Sequence, residues 1–403
     1  MKSFIIVGGN FQNTGAASMT LITVDALRKK YPDCRIVMFA TSKDLKMNIE
    51  NYSFEIVHMS ERALIHARKN SIIDFKYLAE GIVRIILNKG NLFKEYNLLK
   101  DLLSSCNGVF DINGYAISSQ FRNQRTISIL DSLSLFSKYG IPYYFLPQSF
   151  GPFDFKENKM YMMKRLNEDL PKAHTIFTRE HEGYKILTDL IGGMNIVESN
   201  DMVLQSSELD LNNIYKVAPS IKNIAIPTKE NVAIIPNMRN FDHGNKEGIV
   251  SLYKRVIEYL CKEGKNVYLI SHSAEDMEVC KLIKEQLLSF DNVRIVNERI
   301  DSFNFDLLIR QFDFAIASRF HSIVHSYKAG VPCIALGWAT KYKELLNTMG
   351  QSKYLFDVRK LDQEDEFFDA IRDIQQNYKV AKGVIQERLK KIQATNCFDY
   401  IDF

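Results

Sequence analysis

The stretch FDFAIASRFHSIVHSYKAGVPCIALGWATK (residues 312–341) joins an apolar run to an arginine and then a histidine two residues on. A second histidine follows and, past Gly-Val-Pro and another apolar run, a lysine. A core segment has no use for ionisable groups at that density, whereas a site for an anionic substrate does. Arg319 offers a planar fork that grips a carboxylate or phosphate bidentately, which lysine cannot reproduce. Ser318 is placed to cap the helix that follows, whose first N–H groups and positive dipole end also suit an anion. His321 falls in that helix's first turn, where an imidazole can exchange a proton with whatever the arginine holds. For any one of these residues alone, the ordinary reading is a solvated arginine or a satisfied histidine. Their accumulation favours a site.

His325 lies one turn beyond His321 and shares its helix face. Paired histidines can bind a metal, but the glutamate of H-E-x-x-H and an obvious third ligand are missing. The expectation is no metal, with His325 a buried, hydrogen-bonded support beneath His321.

Elements must bring such residues together. Apolar runs read as strands at 3–8, 35–40, 54–59, 108–112, 143–147 and 175–179, and again at 232–236, 266–271, 292–296, 314–318 and 333–337. Helical patterns fill most gaps, Thr14 to Lys30 and Gln124 to Tyr139 among them. This alternation predicts an α/β fold of parallel sheets covered by helices on both faces. The polar, proline-punctuated stretch 206–230 reads as a linker. The expected organisation is an N-terminal Rossmann-like domain (1–210), a linker (211–230) and a C-terminal Rossmann-like domain (231–403) ending in a helix, with a cleft between the two. In such sheets ligands bind beyond the carboxyl ends of the strands. In the second domain those positions are Asn237 and Arg239, Ser271 and His272, Ser318, Arg319 and His321, and then Trp338 and Lys341.

A chain of 403 residues is long for one core, which agrees with two domains. A net charge of +4 without a basic tail does not argue for nucleic acid, but it suits an acidic small substrate or an anionic membrane surface. The six cysteines are scattered without a C-x-x-C pair, which argues against structural zinc and a disulfide framework. FIIVGGN near the start reads as a first strand, not a signal peptide, and no run reaches a membrane-spanning length. The expected location is the cytoplasm. The helical stretch 61–105, with cations beside an apolar face, reads as core packing. Its functional alternative is peripheral contact with a bilayer carrying a lipid-linked substrate.

First-domain signals are weaker. Gly8, Gly9 and Gly15 flank a loop that includes Asn10, but they do not form G-x-G-x-x-G, so they make a tight turn or touch a substrate. Asp111 ends a central strand as a candidate base for a sugar hydroxyl, or as a cap. Gln148 and Arg179 also follow strands; either contacts a sugar, or they brace a loop and pair with Glu180 or Glu182.

The segment SRFHSIVHSYKAGVPCIALGWATK resembles the C-terminal signature of the polysaccharide pyruvyltransferase family: Arg-x-His after a strand, a short helix, Gly-x-Pro, a strand, then lysine. LPQSFGPF (146–153), TREHEGYKIL (178–187), SNDMVL (199–204) and GGNFQNTGAA (8–17) resemble further family segments in the same order. Two departures lie in the first domain. DINGYAISSQF (111–121) replaces a usual Gly-Gly pair, and Thr14, Gly15 and Ala16 stand where an acidic residue is common; both bear on the acceptor more than on the reaction.

The resemblance implies a GT-B-like fold that moves pyruvate from phosphoenolpyruvate to two hydroxyls of a sugar. The acceptor would be a polysaccharide or lipid-linked oligosaccharide precursor, as in capsule or exopolysaccharide synthesis, and the products a cyclic ketal and phosphate. No cofactor is demanded beyond phosphoenolpyruvate as co-substrate. On that reading His321 is the general acid and Arg319 the donor clamp. Arg239, Asn237, Lys341, His272 and Ser318 bind the donor, and Asp111, Gln148, Asn10 and Arg179 bind the acceptor. The competing readings are a nucleotide-sugar-dependent GT-B glycosyltransferase and a non-catalytic sugar- or anion-binding protein.

Overall fold

The computed structural model describes residues 1–403 except 41–44, 46–48, 62, 65, 66, 68–80, 84–91, 221–223, 225, 227, 228, 297–299 and 361–363. Two parallel sheets organise the chain. The first comprises β1 (Ser3–Val7), β2 (Arg35–Ala40), β3 (Glu55–His58), β4 (Gly108–Asp111), β5 (Tyr115–Ile117), β6 (Tyr143–Phe150), β7 (Thr175–Thr178) and β8 (Ile196–Glu198). Its order is β3-β2-β1-β4-β6-β7-β8, with β5 on β6. The second comprises β9 (Asn231–Ile235), β10 (Asn266–Ile270), β11 (Val293–Val296), β12 (Phe314–Ala317), β13 (Cys333–Gly337) and β14 (Leu355–Asp357), in the order β11-β10-β9-β12-β13-β14.

Both orders follow the doubly wound scheme, in which the strand sequence reverses beside the first strand of each sheet. Register fixes what meets at those reversals. Val7 of β1 faces Asp111 of β4, so the Gly8–Gly9 loop leaves beside Asp111. Ile235 of β9 faces Ala317 of β12, so Asn237 leaves beside Ser318 and Arg319. The central strands of both sheets are buried and mostly apolar, as burial on two faces requires, with polar residues such as Asp111, Gln148 and Asn231 toward their ends.

The foreseen strands all form, and the Thr14–Lys30 helix has the expected limits, with the Asn13 side chain accepting from the N–H groups of Gly15 and Ala16. Three strands were not foreseen. β5, β8 and β14 have three residues each, too few to show a period. β6 runs on through Pro147 to Phe150, past the expected end; the proline sits where the register with β7 shifts between Phe145 and Gln148, as a residue without an N–H must.

The stretch read as a linker is tied to the first sheet's side of the molecule. Leu211–Ile214 is helical, and the Ile214 carbonyl accepts from the Ser53 N–H at 2.8 Å. The tail, read as part of the second domain, crosses back. After the long helix Glu364–Gln393, Phe403 packs on Phe4 (4.9 Å between ring centroids) and Tyr144 (5.5 Å) of the first sheet. Within the stretch 61–105, the Leu92–Ser105 helix buries Leu99 and Leu102 completely in the first core. The rest of the segment proposed to touch a bilayer lies mostly outside the described residues. No described helix is long and apolar enough to cross a membrane.

Candidate functional site

The site forms where the helix Phe320–Lys328, following β12, meets the first sheet's strand ends. His321 projects from the first turn of this helix against the first-lobe loop. Gly15 packs so closely on its ring that a Cβ there would lie 2.2 Å from His321 Cγ. His321 Nε2 is buried, lacks a hydrogen-bond partner among the described residues, and lies 3.7 Å from Asp201 Oδ2. Burial first, then the charges of Arg179, His325 and Lys341, push its imidazole well below the ordinary range. The ring is therefore neutral at pH 7.

Asp201 is shared. Its Oδ2 also accepts from Arg179 Nη1 at 3.0 Å, while its Oδ1 caps a short helix by accepting from the Val203 N–H. Arg179, just past β7, is almost fully buried. It donates to Ser149 Oγ and to Glu180 Oε1 at 2.9 Å, and its guanidinium lies 4.2 Å from the Phe320 ring centroid. The ion pair with Glu180 was one of the two sequence readings for Arg179; its place beside His321 was not foreseen. Burial pushes the Glu180 carboxyl up, against the pull of Arg179.

Lys341 follows β13 and joins the same cluster. Its amine lies over Tyr115 (4.6 Å), Phe320 (5.2 Å) and Tyr342 (5.7 Å), with no ion pair among the described residues. Burial, then the Arg179 charge, pulls its ammonium down to about 7, with Glu180 opposing. Two strand ends of the first lobe, β7 and β8, and two of the second, β12 and β13, thus place an imidazole, a guanidinium, an amine and two carboxylates together.

Other expected donor ligands are not in this cluster. Arg319, the expected clamp, turns to the loop after β10. It donates to both carboxylate oxygens of Asp276 at 2.7 Å and to Glu275, and Asp276 is fully buried. Arg239 pairs with Glu275 at 2.9 Å and is more than half exposed. The acidic pair Glu275-Asp276 thus absorbs both arginines. It follows a strand in HSAED, and that adjacency was the sequence signal for it. Arg319, not Ser318, is the helix N-cap, because the Ser318 hydroxyl is engaged with Tyr253 Oη at 2.6 Å. Asn237 is a brace between strand ends: its side chain accepts from the Arg239 N–H and donates to the Ser318 carbonyl at 3.3 Å. His272 is buried, with both ring nitrogens unpartnered among the described residues, and lies against Phe305 and His325.

His325 is the support expected, but toward the other lobe. Its Nε2 meets Ser18 Oγ at 3.0 Å and its Nδ1 meets Asp306 Oδ1 at 2.6 Å. The two helix-mate imidazoles therefore face different partners. No group of three or more His, Cys, Asp or Glu is placed to hold a metal among the described residues.

Of the expected acceptor ligands, Asn10 and Asp111 line a cavity of about 750 Å³ at the β1–β4 reversal, together with Gly8, Gly9, Arg125 and Tyr143. Asp111 is fully buried. Its oxygens accept from the backbone and side chain of Asn113, from Tyr143 Oη at 2.8 Å and from Gln148 Nε2 at 3.3 Å. Burial pushes its carboxyl up. With its oxygens so engaged it organises the cavity floor instead of reaching a substrate as a base, and Gln148 stands behind it.

Around His321 the lobes are closed. The space bounded by Arg179, Asp201, Phe320 and Lys341 is about 10 Å³, and the one beside Tyr115, Ser149 and Lys341 about 100 Å³. Glu344 of the second lobe accepts from the N–H groups of His181 and Glu182, seating a carboxylate on a first-lobe helix start. A ligand enters this cluster only as these contacts part.

Solved structures share the architecture. The UDP-GlcNAc 2-epimerase of Methanocaldococcus jannaschii is 15% identical over 92% of each chain, with a TM-score of 0.56. The S. aureus MnaA–UDP structure is 10% identical, covering 98% of this chain and 92% of that one, with a TM-score of 0.57. Anabaena HepE in complex with UDP-glucose is 10% identical over 98% of each chain, with a TM-score of 0.56. At these identities the likeness is one of fold: α/β, two Rossmann-like domains in the manner of GT-B enzymes. No curated protein sequence matches the chain. The polysaccharide pyruvyl transferase family model matches residues 13–340, from the loop that packs on His321 to the strand end before Lys341, and the chain belongs to that family.

Proposed function

We propose that the protein transfers pyruvate from phosphoenolpyruvate to two hydroxyls of a sugar, releasing phosphate and leaving a cyclic ketal. The observation that carries this reading is the buried, unpartnered His321 Nε2 set among Asp201, Arg179 and Lys341. Phosphoenolpyruvate brings about three negative charges. Burial first, and then repulsion from Arg179 and Lys341, holds the imidazole neutral; the donor's arrival offsets the repulsion, so donor binding and protonation of His321 are coupled.

The protonated ring then delivers its proton to the methylene carbon, and the electron-poor carbon that results is attacked by one sugar hydroxyl. The second hydroxyl attacks as phosphate departs. Two hydroxyl protons leave the sugar: one replaces the proton given to carbon, and the other leaves with phosphate. Lys341 and the His321 helix hold the donor, with Arg179 exchanging a carboxylate partner for it. This puts the donor between the lobes instead of within the second. The first-lobe cavity above Asp111 takes the acceptor, a polysaccharide precursor that is free or lipid-linked. A donor from central metabolism places the reaction in the cytoplasm.

The test is phosphate release from phosphoenolpyruvate with galactosides, glucosides or mannosamine derivatives, with mass analysis of the acceptor. A pyruvate ketal formed without nucleotide, lost in His321→Ala while donor binding persists, is the expected result. Transfer that requires a nucleotide sugar, or full activity in His321→Ala, would overturn the reading.

A further inference from the structure

A second interlobe cavity, about 240 Å³, lies on the other side of the loop that packs on His321. Thr14 lines it, and the next residue, Gly15, is the one against His321. One wall is aromatic: Phe11 stacks on Tyr52 (4.8 Å, 14° between planes), and Tyr52 stacks on Tyr215 (5.1 Å, 26°). The opposite wall is polar, with Ser271, His272 and Ser273 from the loop after β10 and Asp301 and Ser302 from beyond β11. His272 is 2% exposed and both its ring nitrogens lack partners among the described residues, so this wall contains a buried group with unmet hydrogen-bonding capacity.

The lining selects the ligand's chemistry. Among the described residues it holds one carboxylate, Asp301, and no lysine or arginine, so none of these lining residues neutralises an anion such as phosphoenolpyruvate. Burial, followed by the charges of His325, Arg319 and His321, holds the His272 ring neutral, so it supplies no cation either. An aromatic stack opposite hydroxyls, with a neutral imidazole buried behind them, suits a compact, uncharged molecule that has apolar C–H groups and a hydroxylated rim. The volume falls below the ~300 Å³ at which sites for larger organic ligands begin, which fits one ring.

We propose that this cavity is a subsite for a single neutral sugar ring. On the pyruvyl-transfer reading, on which this role rests, the ring is the acceptor's neighbouring saccharide. An oligosaccharide would cross the Asn13–Gly15 loop, with one unit held here and the unit to be modified in the first-lobe cavity above Asp111, facing His321. His272 is then a carbohydrate ligand, not a ligand of the anionic donor.

Saturation-transfer NMR on the full chain, with glucose, galactose, N-acetylglucosamine and N-acetylmannosamine as probes and no phosphoenolpyruvate present, tests the subsite apart from the reaction. At least one sugar is expected to bind saturably without competition from inorganic phosphate. Ala274→Trp, which fills the exposed mouth without touching the core, should weaken binding at least tenfold, and Tyr52→Ala should do the same with an unchanged far-UV spectrum. Absence of binding by all four sugars, binding indifferent to Ala274→Trp, or displacement by phosphate would overturn the proposal. Sugar binding without phosphate release from phosphoenolpyruvate would uphold the subsite and count against pyruvyl transfer alone.

Discussion

Gly15 and His321 meet across the interlobe cleft so closely that no side chain fits between them: a Cβ on Gly15 would lie 2.2 Å from His321 Cγ and 2.5 Å from its Cβ. The glycine is thus required by its neighbour, not by a turn, since it lies within the first helical turn of Thr14–Lys30. In Gly15→Ala the imidazole must move or the lobes must part. A displacement on the scale of an ångström at a proton donor costs about a hundredfold in rate. Alanine meanwhile favours the helix by about 1 kcal/mol, which offsets part of the strain. The expected outcome is a collapse of kcat with a modest change in Tm. Unchanged turnover would show that His321 is not held by this contact.

Arg319 is predicted to matter first for stability. Removing one member of a buried ion pair leaves an uncompensated charge and costs about 3–5 kcal/mol. Arg319→Ala strands Asp276, which is fully buried and also accepts from the Met238 and Ser273 N–H groups. Urea unfolding should show a loss of that order, and Asp276→Asn combined with Arg319→Ala should lose less than the sum of the single changes. Native stability with a sharply raised phosphoenolpyruvate requirement would restore the donor clamp.

That reversal marks how far the sequence reaches. Strand ends are legible because β-branched runs are, and the rule that ligands sit beyond them placed His321 and Lys341 correctly near one another. The rule locates a backbone, not a side chain's direction. Arg319 turned away because Glu275 and Asp276, from a loop over forty residues earlier, offered a carboxylate within reach. Asp201 and Arg179 joined His321 because the two lobes close on each other, a relation that no local pattern encodes. Asp201 stood out only through the family resemblance of SNDMVL. Gly15 looked like a loop former for the same reason: its steric partner lies 306 residues away.

The buried histidines predict a pH dependence of stability. Folded His321 and His272 both have pKa values well below 6.5, chiefly through burial. Below about 6.5 the unfolded chain takes up protons that the folded chain refuses, so stability rises with pH through that region and falls on acidification. Tm measured from pH 8 to pH 5 should drop, and His272→Phe should flatten the curve if the variant folds. Titration of the His321→Ala variant supplies a second, independent reduction in slope. A Tm that rises on acidification in the wild type would contradict the neutral assignment of both rings.

Lys341 gives the same linkage a different window. Its folded pKa is about 7, set by burial and the Arg179 charge, against about 10.4 in an unfolded chain. Below pH 7 both states hold the proton and the cost of burying the ammonium is fully present. Between about 7 and 10.4 the unfolded chain binds the extra proton, so stability rises with pH across that interval. Lys341→Met keeps the contacts with Tyr115 and Phe320 but carries no charge. It should melt higher than wild type at pH 7, with the gap closing toward pH 10. Donor binding should move the opposite way, because an anion beside the amine favours the charged form; the variant should then need far more phosphoenolpyruvate at any pH. Calorimetric titration of phosphoenolpyruvate in buffers of different ionisation enthalpy separates the parts: net proton uptake on binding in the wild type should shrink in Lys341→Met and again in His321→Ala. Equal uptake in all three proteins would mean that the donor charges neither group, and that it binds elsewhere.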